Sequence, residues 1–391
     1  MHIHFISLLR RGAWGGSEEL WSQTAARLRA GGHRVTACMK WVPAEQRGWR
    51  ERRLGELGIA ASCWGGPRPA PERILRLAGR VVRKTTTARG AVAPGPRDWA
   101  IPPGADLVVL NSPGNGFPPP LVGHCQQLRV PYALVCQSVN ESEWPADDEL
   151  AAWRSAFERA AAAFFVSHAN LEATACQLAW RGGHFKAVSN PCNADRSRPF
   201  VPPRAAAARR IAFVGRLEPE HKGLDLLFRA MSRPAWGARE YRLNLYGTGR
   251  SARQVEEMAA YLGIPGHLVF HGQTDCIHGV WEENELLVLP SRHEGLPLAV
   301  VEAMMCGRPC LVTDVSGNPE HIEDGRTGFI AAGSTVNAVA EALERAWERR
   351  AEWEAMGRAA YAAIRAAVPA DPVGEFTDQL VALAGARAAA G

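Results

Sequence analysis

Short apolar runs recur along the chain, separated by longer stretches in which apolar residues return every three or four positions. The runs at 2–8, 33–39, 106–110, 131–136 and 163–167 predict parallel strands covered on both faces. The stretches 149–162 and 169–180 between them predict helices. A glycine-containing loop, 10–16, leads into a helix with Ser17 as its candidate N-cap and Glu18 and Glu19 in the first turn. Gly31 and Gly32 stop that helix before the next strand, which makes the opening unit of a doubly wound sheet. A second series follows, with strands near 211–214, 242–246, 267–271, 285–289, 309–313 and 328–330. Its helices are predicted near 223–232, 250–262, 297–306 and 334–348. Pro199, Pro202 and Pro203 mark a linker between the two series. The reading is α/β: two doubly wound Rossmann-like domains, 1–198 and 199–371, facing each other across a cleft. A final helix, 372–391, is placed to complete the first domain.

The second series contains one conspicuous exception to its apolar patterning. The predicted helix from Pro297 through Ala299, Val300, Val301, Ala303, Met304, Met305 and Cys306 carries a single charge, Glu302. A helix apolar all round is buried, and a carboxylate there needs hydrogen-bond donors to offset a cost of roughly several kcal/mol. A second carboxylate, Glu294, precedes the helix N-terminus, where backbone N–H groups and the helix dipole favour anions. Two carboxylates beside an anion-attracting helix end suggest a ligand bearing both hydroxyls and phosphate.

Composition narrows the classes. At 391 residues with 47% apolar and 22% charged residues, the chain reads as a soluble globular protein of two domains. The net charge of +5 does not indicate nucleic acid. No run approaches 18 apolar residues and the N-terminus lacks signal-peptide order, so a cytoplasmic protein is expected. Nine cysteines without a Cys-x-x-Cys pair read as reduced thiols. One segment departs from the average. Residues 67–97 hold Arg68, Arg73, Arg76, Arg80, Arg83, Lys84, Arg89 and Arg97 against Glu72 alone. That is either a basic helix lying on an anionic membrane surface, peripheral at its inner face, or a crossover helix with a solvated basic face.

Candidate chemistry falls in the turns after predicted strands. Gly215 and Arg216 follow the first strand of the second series, and Lys222 stands at the next helix start, where open α/β sheets bind ligands. The two cations suit a diphosphate, or are plain surface charges. Gly247 and Gly249 fit the dinucleotide pattern Gly-x-Gly-x-x-Ala, but the acid expected at the end of the next strand is absent. They are read as letting backbone approach a ligand. Gly15 and Gly16 either expose N–H groups to a phosphate oxygen or form a plain turn. No His-Glu-x-x-His, Asp-x-Asp or Cys/His cluster has metal-ligand spacing, so no metal is expected.

Taken together, Gly215, Arg216, Lys222, the glycines at 247 and 249, and the run from Pro290 through Glu294 to Glu302 resemble the retaining glycosyltransferases of group 1, with two Rossmann-like domains (the GT-B fold). Gly307, Thr313, Gly317, Glu320 and Gly328 extend the likeness; the N-terminal half is thinner, resting on Gly15 to Glu18, Val166, Ser167 and Asn190 to Asn193. The resemblance implies a nucleotide-diphosphate sugar donor, UDP- or GDP-linked, as co-substrate, with no cofactor. Its acceptor would be a hydroxyl on a glycan, a lipid-linked glycan or a small molecule. Arg216 and Lys222 would neutralise the diphosphate, Glu302 would accept from ribose hydroxyls and Glu294 would contact the sugar. Backbone around Gly295, Leu296 and Leu298, with Ser291 nearby and Gly16 opposite, would clamp sugar and phosphate. Gln273 and Thr274 would lie at the base. Many members carry a histidine after the strand at 131–136, where this chain has Gln137 and Ser138. That departure motivates an alternative, a nucleotide-sugar-binding module with lost transferase activity; a phosphorylase would need a pyridoxal lysine, and no motif recommends one. His168 follows a strand and either faces the cleft or serves helix capping and packing.

Overall fold

The computed structural model describes residues 1–9, 14–42, 48–65 and 99–388. The basic segment 67–97 lies outside them. Seven parallel strands make the first sheet: β1 (His2–Ser7), β2 (Arg34–Lys40), β3 (Ala61–Trp64), β4 (Leu107–Ser112), β5 (Tyr132–Cys136), β6 (Ala162–Phe165) and β7 (Phe185–Ala187), in spatial order β3-β2-β1-β4-β5-β6-β7. The second sheet holds β8 (Arg209–Val214), β9 (Tyr241–Tyr246), β10 (Leu268–Gly272), β11 (Leu286–Leu289), β12 (Cys310–Thr313) and β13 (Gly328–Ala331), in order β10-β9-β8-β11-β12-β13. Each sheet reverses its order once, at β1/β4 and at β8/β11, and the crevice at the carboxyl ends of such strands is where doubly wound folds take ligands. β1, β4, β5, β6, β11 and β12 are buried along their whole length, as unbroken apolar runs require.

Two helix starts differ from the sequence reading. The first helix is Gly16–Ala30, with Gly15 rather than Ser17 as its N-cap. Gly15 is extended, and its carbonyl accepts the Glu18 N–H at 2.9 Å. The helix expected near 223–232 is Leu224–Met231, and a separate short helix, Pro219–Lys222, precedes it and ends at Gly223, whose φ is +67°. A Cβ there would stand 1.9 Å from the Pro290 carbonyl oxygen, so only glycine lets this turn rest on the end of β11. That contact brings Lys222 beside Ser291.

The chain crosses between the sheets twice. The first crossing leaves β7 and runs through 188–208, where Arg196 donates to the carbonyls of Arg365, Val368 and Pro369. Phe200 packs against Tyr361, and Val201 gives its carbonyl to Arg308. The second crossing follows helix Trp353–Ala367 and delivers helix Pro372–Ala388 to the first sheet. There Phe376 meets Phe164 edge-on at 5.0 Å, and Asp371 pairs with Arg27 at 2.6 Å. All nine cysteines are free thiols. Among the described residues no helix is long and apolar enough to cross a membrane.

Candidate active site

Helix Leu298–Met305 follows β11, with Pro297 as N-cap at φ −69°, ψ 121° rather than as the first helical residue. Glu302 is buried on it, as the apolar pattern demanded, and its partner is Asn193 of the first crossing. The Asn193 side chain donates to Glu302 Oε1 at 2.8 Å and its backbone N–H at 3.2 Å. Burial pushes the Glu302 carboxyl up to about 6, against the pull of those two bonds.

Glu294 is held differently. Lys222 Nζ donates to its Oε1 at 2.5 Å and Ser291 Oγ at 2.7 Å. Burial acts to raise this carboxyl, but Lys222, His221 and the two hydrogen bonds outweigh it and keep it below the ordinary range. Ser291 is fully buried, and its carbonyl accepts from Thr313 Oγ1 at 2.5 Å, which ties the turn to β12. Arg216 is half exposed, with Glu218 at 3.3 Å. His221 and His293 meet edge-on at 4.2 Å beside this group. Burial first, then Lys222, pushes His221 down to about 3, so it is neutral at physiological pH.

The glycines serve close approach of backbone to backbone. Gly247 has φ +138°, and a Cβ on it would lie 2.0 Å from the Gly215 carbonyl oxygen. A Cβ on Gly249 would lie 2.7 Å from the Leu217 carbonyl oxygen, so both glycines press the β9 turn onto the β8 turn rather than onto open space. Gln273 and Thr274 follow β10 next to that pair, with Thr274 Oγ1 accepting the Cys276 N–H.

Across the cleft the two domains touch along the loop 295–298. A Cβ on Gly295 would be 2.0 Å from the Gln137 carbonyl oxygen, and one on Gly16 would be 2.5 Å from Leu298 Cδ1. Leu296 is buried in the same loop. Two carboxylates flank this contact: Glu320 accepts the N–H groups of His168 and Ala169, and Glu141 accepts the N–H and hydroxyl of Ser316. His168 is thus the first residue of helix His168–Leu178 with an exposed side chain, capped from the other domain while Ser167 is the local N-cap.

Gln137 does not stand open to a ligand. Its Nε2 donates to Asn111 Oδ1 at 2.9 Å and its Oε1 accepts from Asn190 Nδ2 at 2.9 Å, so both ends of the amide are spent inside the first domain. Ser138 Oγ likewise donates to the Pro113 carbonyl. Sequence reasoning passed over Asn193, Asn111 and the role of Glu18. The available signals were Asn193 and Glu18, each in a segment already tied to the family pattern. Among the described residues no group of three or more His, Cys, Asp or Glu side chains is arranged to hold a metal ion.

Comparison with known proteins bears on family and fold. Residues 208–349 match the family model of glycosyl transferases group 1. The chain is 34% identical over 196 residues to the D-inositol 3-phosphate glycosyltransferase of Streptomyces avermitilis, covering 44% of this chain and 42% of that protein. It is 30% identical over 137 residues to the alpha-D-kanosaminyltransferase of Streptomyces kanamyceticus, covering 34% and 35%. The chain therefore spans less than half the length of these curated relatives. Solved structures match it throughout. Anabaena Alr3699/HepE in complex with UDP superimposes with a TM-score of 0.70 at 16% identity, over 98% of this chain and 100% of that one. Sucrose-phosphate synthase from Thermosynechococcus elongatus gives 0.68 at 17% identity, over 97% and 99%. Residues 208–349 belong to the glycosyl transferases group 1 family, on a chain with the two-domain GT-B fold.

Proposed function

We propose that the protein is a retaining, metal-independent glycosyltransferase that moves a sugar from a nucleotide diphosphate to a hydroxyl acceptor. The observation that carries this reading is the placement of Arg216, Lys222, Glu294 and Glu302 at the carboxyl ends of β8 and β11, one face of a closed cleft. Arg216 and Lys222 would take the diphosphate, with Lys222 exchanging its bond to Glu294 for phosphate oxygen. Glu294, released, would accept from a sugar hydroxyl, and Glu302 would accept from ribose hydroxyls. As the bond from the anomeric carbon to the phosphate oxygen breaks, the electron pair goes to the phosphate, and the two cations stabilise that charge. The acceptor oxygen then bonds to the anomeric carbon on the face the phosphate leaves, and its proton passes to the departing phosphate. Neither histidine at the site is needed as a base in this route.

Calorimetry with UDP, GDP and ADP, each with and without EDTA, tests the reading. Binding of one nucleotide that survives EDTA supports it. No binding to any of the three would sink it, and binding lost with EDTA would sink the metal-independent route. Mass-spectrometric detection of slow donor hydrolysis separates an active transferase from a binding module, and NMR of the released sugar's anomeric configuration tests retention.

A further inference from the structure

Beneath the contact between the domains lies a buried carboxylate that the proposed chemistry does not use. Glu18 is fully buried in the first turn of helix Gly16–Ala30. Its Oε2 accepts from Trp21 Nε1 at 2.8 Å, and its Oε1 from Ser7 Oγ at 3.0 Å and Asn111 Nδ2 at 3.3 Å. The carboxylate and the Ser17 carbonyl, which only accept, fix which way each amide points. Asn111 presents its NH2 to Glu18 at 3.3 Å and to the Ser17 carbonyl at 3.1 Å, so its oxygen faces Gln137. Gln137 then presents its NH2 to Asn111, and its oxygen takes the NH2 of Asn190. Every amide donates toward Glu18, and a one-way chain of this kind strengthens cooperatively.

This chain joins two of the places where the first domain meets the loop 295–298, Val166 beside Gly295 being another. Glu18 anchors the turn whose Gly16 abuts Leu298, and through Asn111 it anchors Gln137, whose carbonyl abuts Gly295. We propose that Glu18 is a positioning residue for domain closure, the charged terminal acceptor, beside the Ser17 carbonyl, of an amide chain that keeps Gly16 and Gln137 in register with the loop 295–298. The catalytic consequence rests on the function proposed above; the effect on closure does not.

Closure then depends on the ionisation of Glu18. Burial pushes its carboxyl up to about 7, opposed by the bonds from Trp21 and Ser7 and by Arg50. Among the described residues the charged groups facing it are Arg50, from helix Gly48–Glu56, and Glu19 on its own helix; β1 and β4 present Ser7 and Asn111. Protonation turns one carboxyl oxygen into a donor where Trp21, Ser7 and Asn111 already donate, so the bonds converging on Glu18 weaken and the chain ends on a neutral acceptor beside the Ser17 carbonyl. The histidines of the cleft do not mimic this, since burial holds His221, His293 and His321 below the ordinary imidazole range.

The test is small-angle scattering of the full chain without ligand at pH 8 and pH 6, on wild type, Glu18→Gln and Gln137→Leu. The wild type is expected to have a larger radius of gyration at pH 6, and both variants the larger radius at both pH values. With donor present, wild-type kcat for donor hydrolysis should rise about tenfold from pH 6 to pH 8 with KM changed less than about twofold, and Glu18→Gln should lose that rise. A radius in both variants that matches wild type at both pH values overturns the inference. If Glu18→Gln does not fold, Gln137→Leu alone decides, since it cuts the chain and leaves the Glu18 site intact. Absent hydrolysis would count against the transferase reading and leave the scattering result to stand.

Discussion

Lys222 and Glu294, 72 residues apart in sequence, meet at 2.5 Å with both side chains nearly buried, at 12% and 8% exposure. The pair exists because Gly223 lets the β8 turn rest on the end of β11, and it occupies the place where the diphosphate and sugar of a donor would separate the two groups. A buried pair of this kind contributes little net stability while intact, but removing one partner strands the other.

Lys222→Met should therefore lower both stability and nucleotide affinity. The uncompensated Glu294 carboxylate should cost about 3–5 kcal/mol in urea unfolding at pH 7. Nucleotide affinity should fall at least tenfold, about 1.4 kcal/mol. The double variant Lys222→Met/Glu294→Gln should recover most of the stability and none of the affinity. A single variant as stable as wild type would contradict the buried pairing.

Glu302 should make both stability and nucleotide binding depend on protons. Its folded value of about 6 lies above the unfolded value of 4.5. Between those two values the folded state holds the extra proton, so stability from this group is present below about 4.5 and is lost as pH rises through about 6. The loss is on the order of 2 kcal/mol, and Glu302→Gln should flatten that part of the stability profile. Ribose hydroxyls that donate to the carboxylate favour its ionised form. Nucleotide affinity should then rise with pH through about 6, with proton release on binding visible when calorimetry is repeated in buffers of different ionisation enthalpy.

A methyl group on Gly295 should separate folding from catalysis. The Cβ would meet the Gln137 carbonyl oxygen at 2.0 Å, a contact made only across the cleft. Gly295→Ala should therefore unfold within about 0.5 kcal/mol of wild type. If closure completes the site, kcat/KM should fall about a hundredfold, about 2.7 kcal/mol. Loss of stability without loss of turnover would mean that the glycine serves its own domain.

What could be read from the chain alone follows from range. β11 is a continuous apolar run, β8 and β12 each contain a short one (211–214 and 310–312), and Glu302 is conspicuous because a local pattern breaks at it. β3 and β7 escaped because their patterns are mostly exposed, and helix Ile277–Glu283 was hidden between two predicted strands. The partner of Glu302 comes from 109 residues away and that of Gln137 from 53, separations at which no periodicity carries information. Gln137 was a possible sugar contact because it stands where many members of the resembled family carry a histidine. Its two amide bonds to Asn111 and Asn190 turn it inward instead, which only the packing of β4, β5 and the first crossing could reveal.

Arg308 provides the sharpest test of how the second domain is held to its linker. It is 1% exposed, and its guanidinium donates to five carbonyl oxygens, those of Trp281, Asn284, Val201, Cys306 and Gly307. Among the described residues no carboxylate balances it at contact distance, and burial pushes it down to about 10, still charged at pH 7. Arg308→Leu would leave those acceptors without their donor in the interior, at about 1–3 kcal/mol for each one that water does not reach. Arg308→Lys should rescue only part of the loss, because three ammonium hydrogens replace a planar fork that serves both sides of the loop. Urea unfolding should show a loss of at least about 3 kcal/mol for the leucine variant. Nucleotide affinity measured well below the denaturation midpoint should change less than about threefold, since Arg308 touches neither Glu294 nor Glu302. A leucine variant as stable as wild type would mean that the five carbonyls find other donors, and that the linker is not fixed from this point.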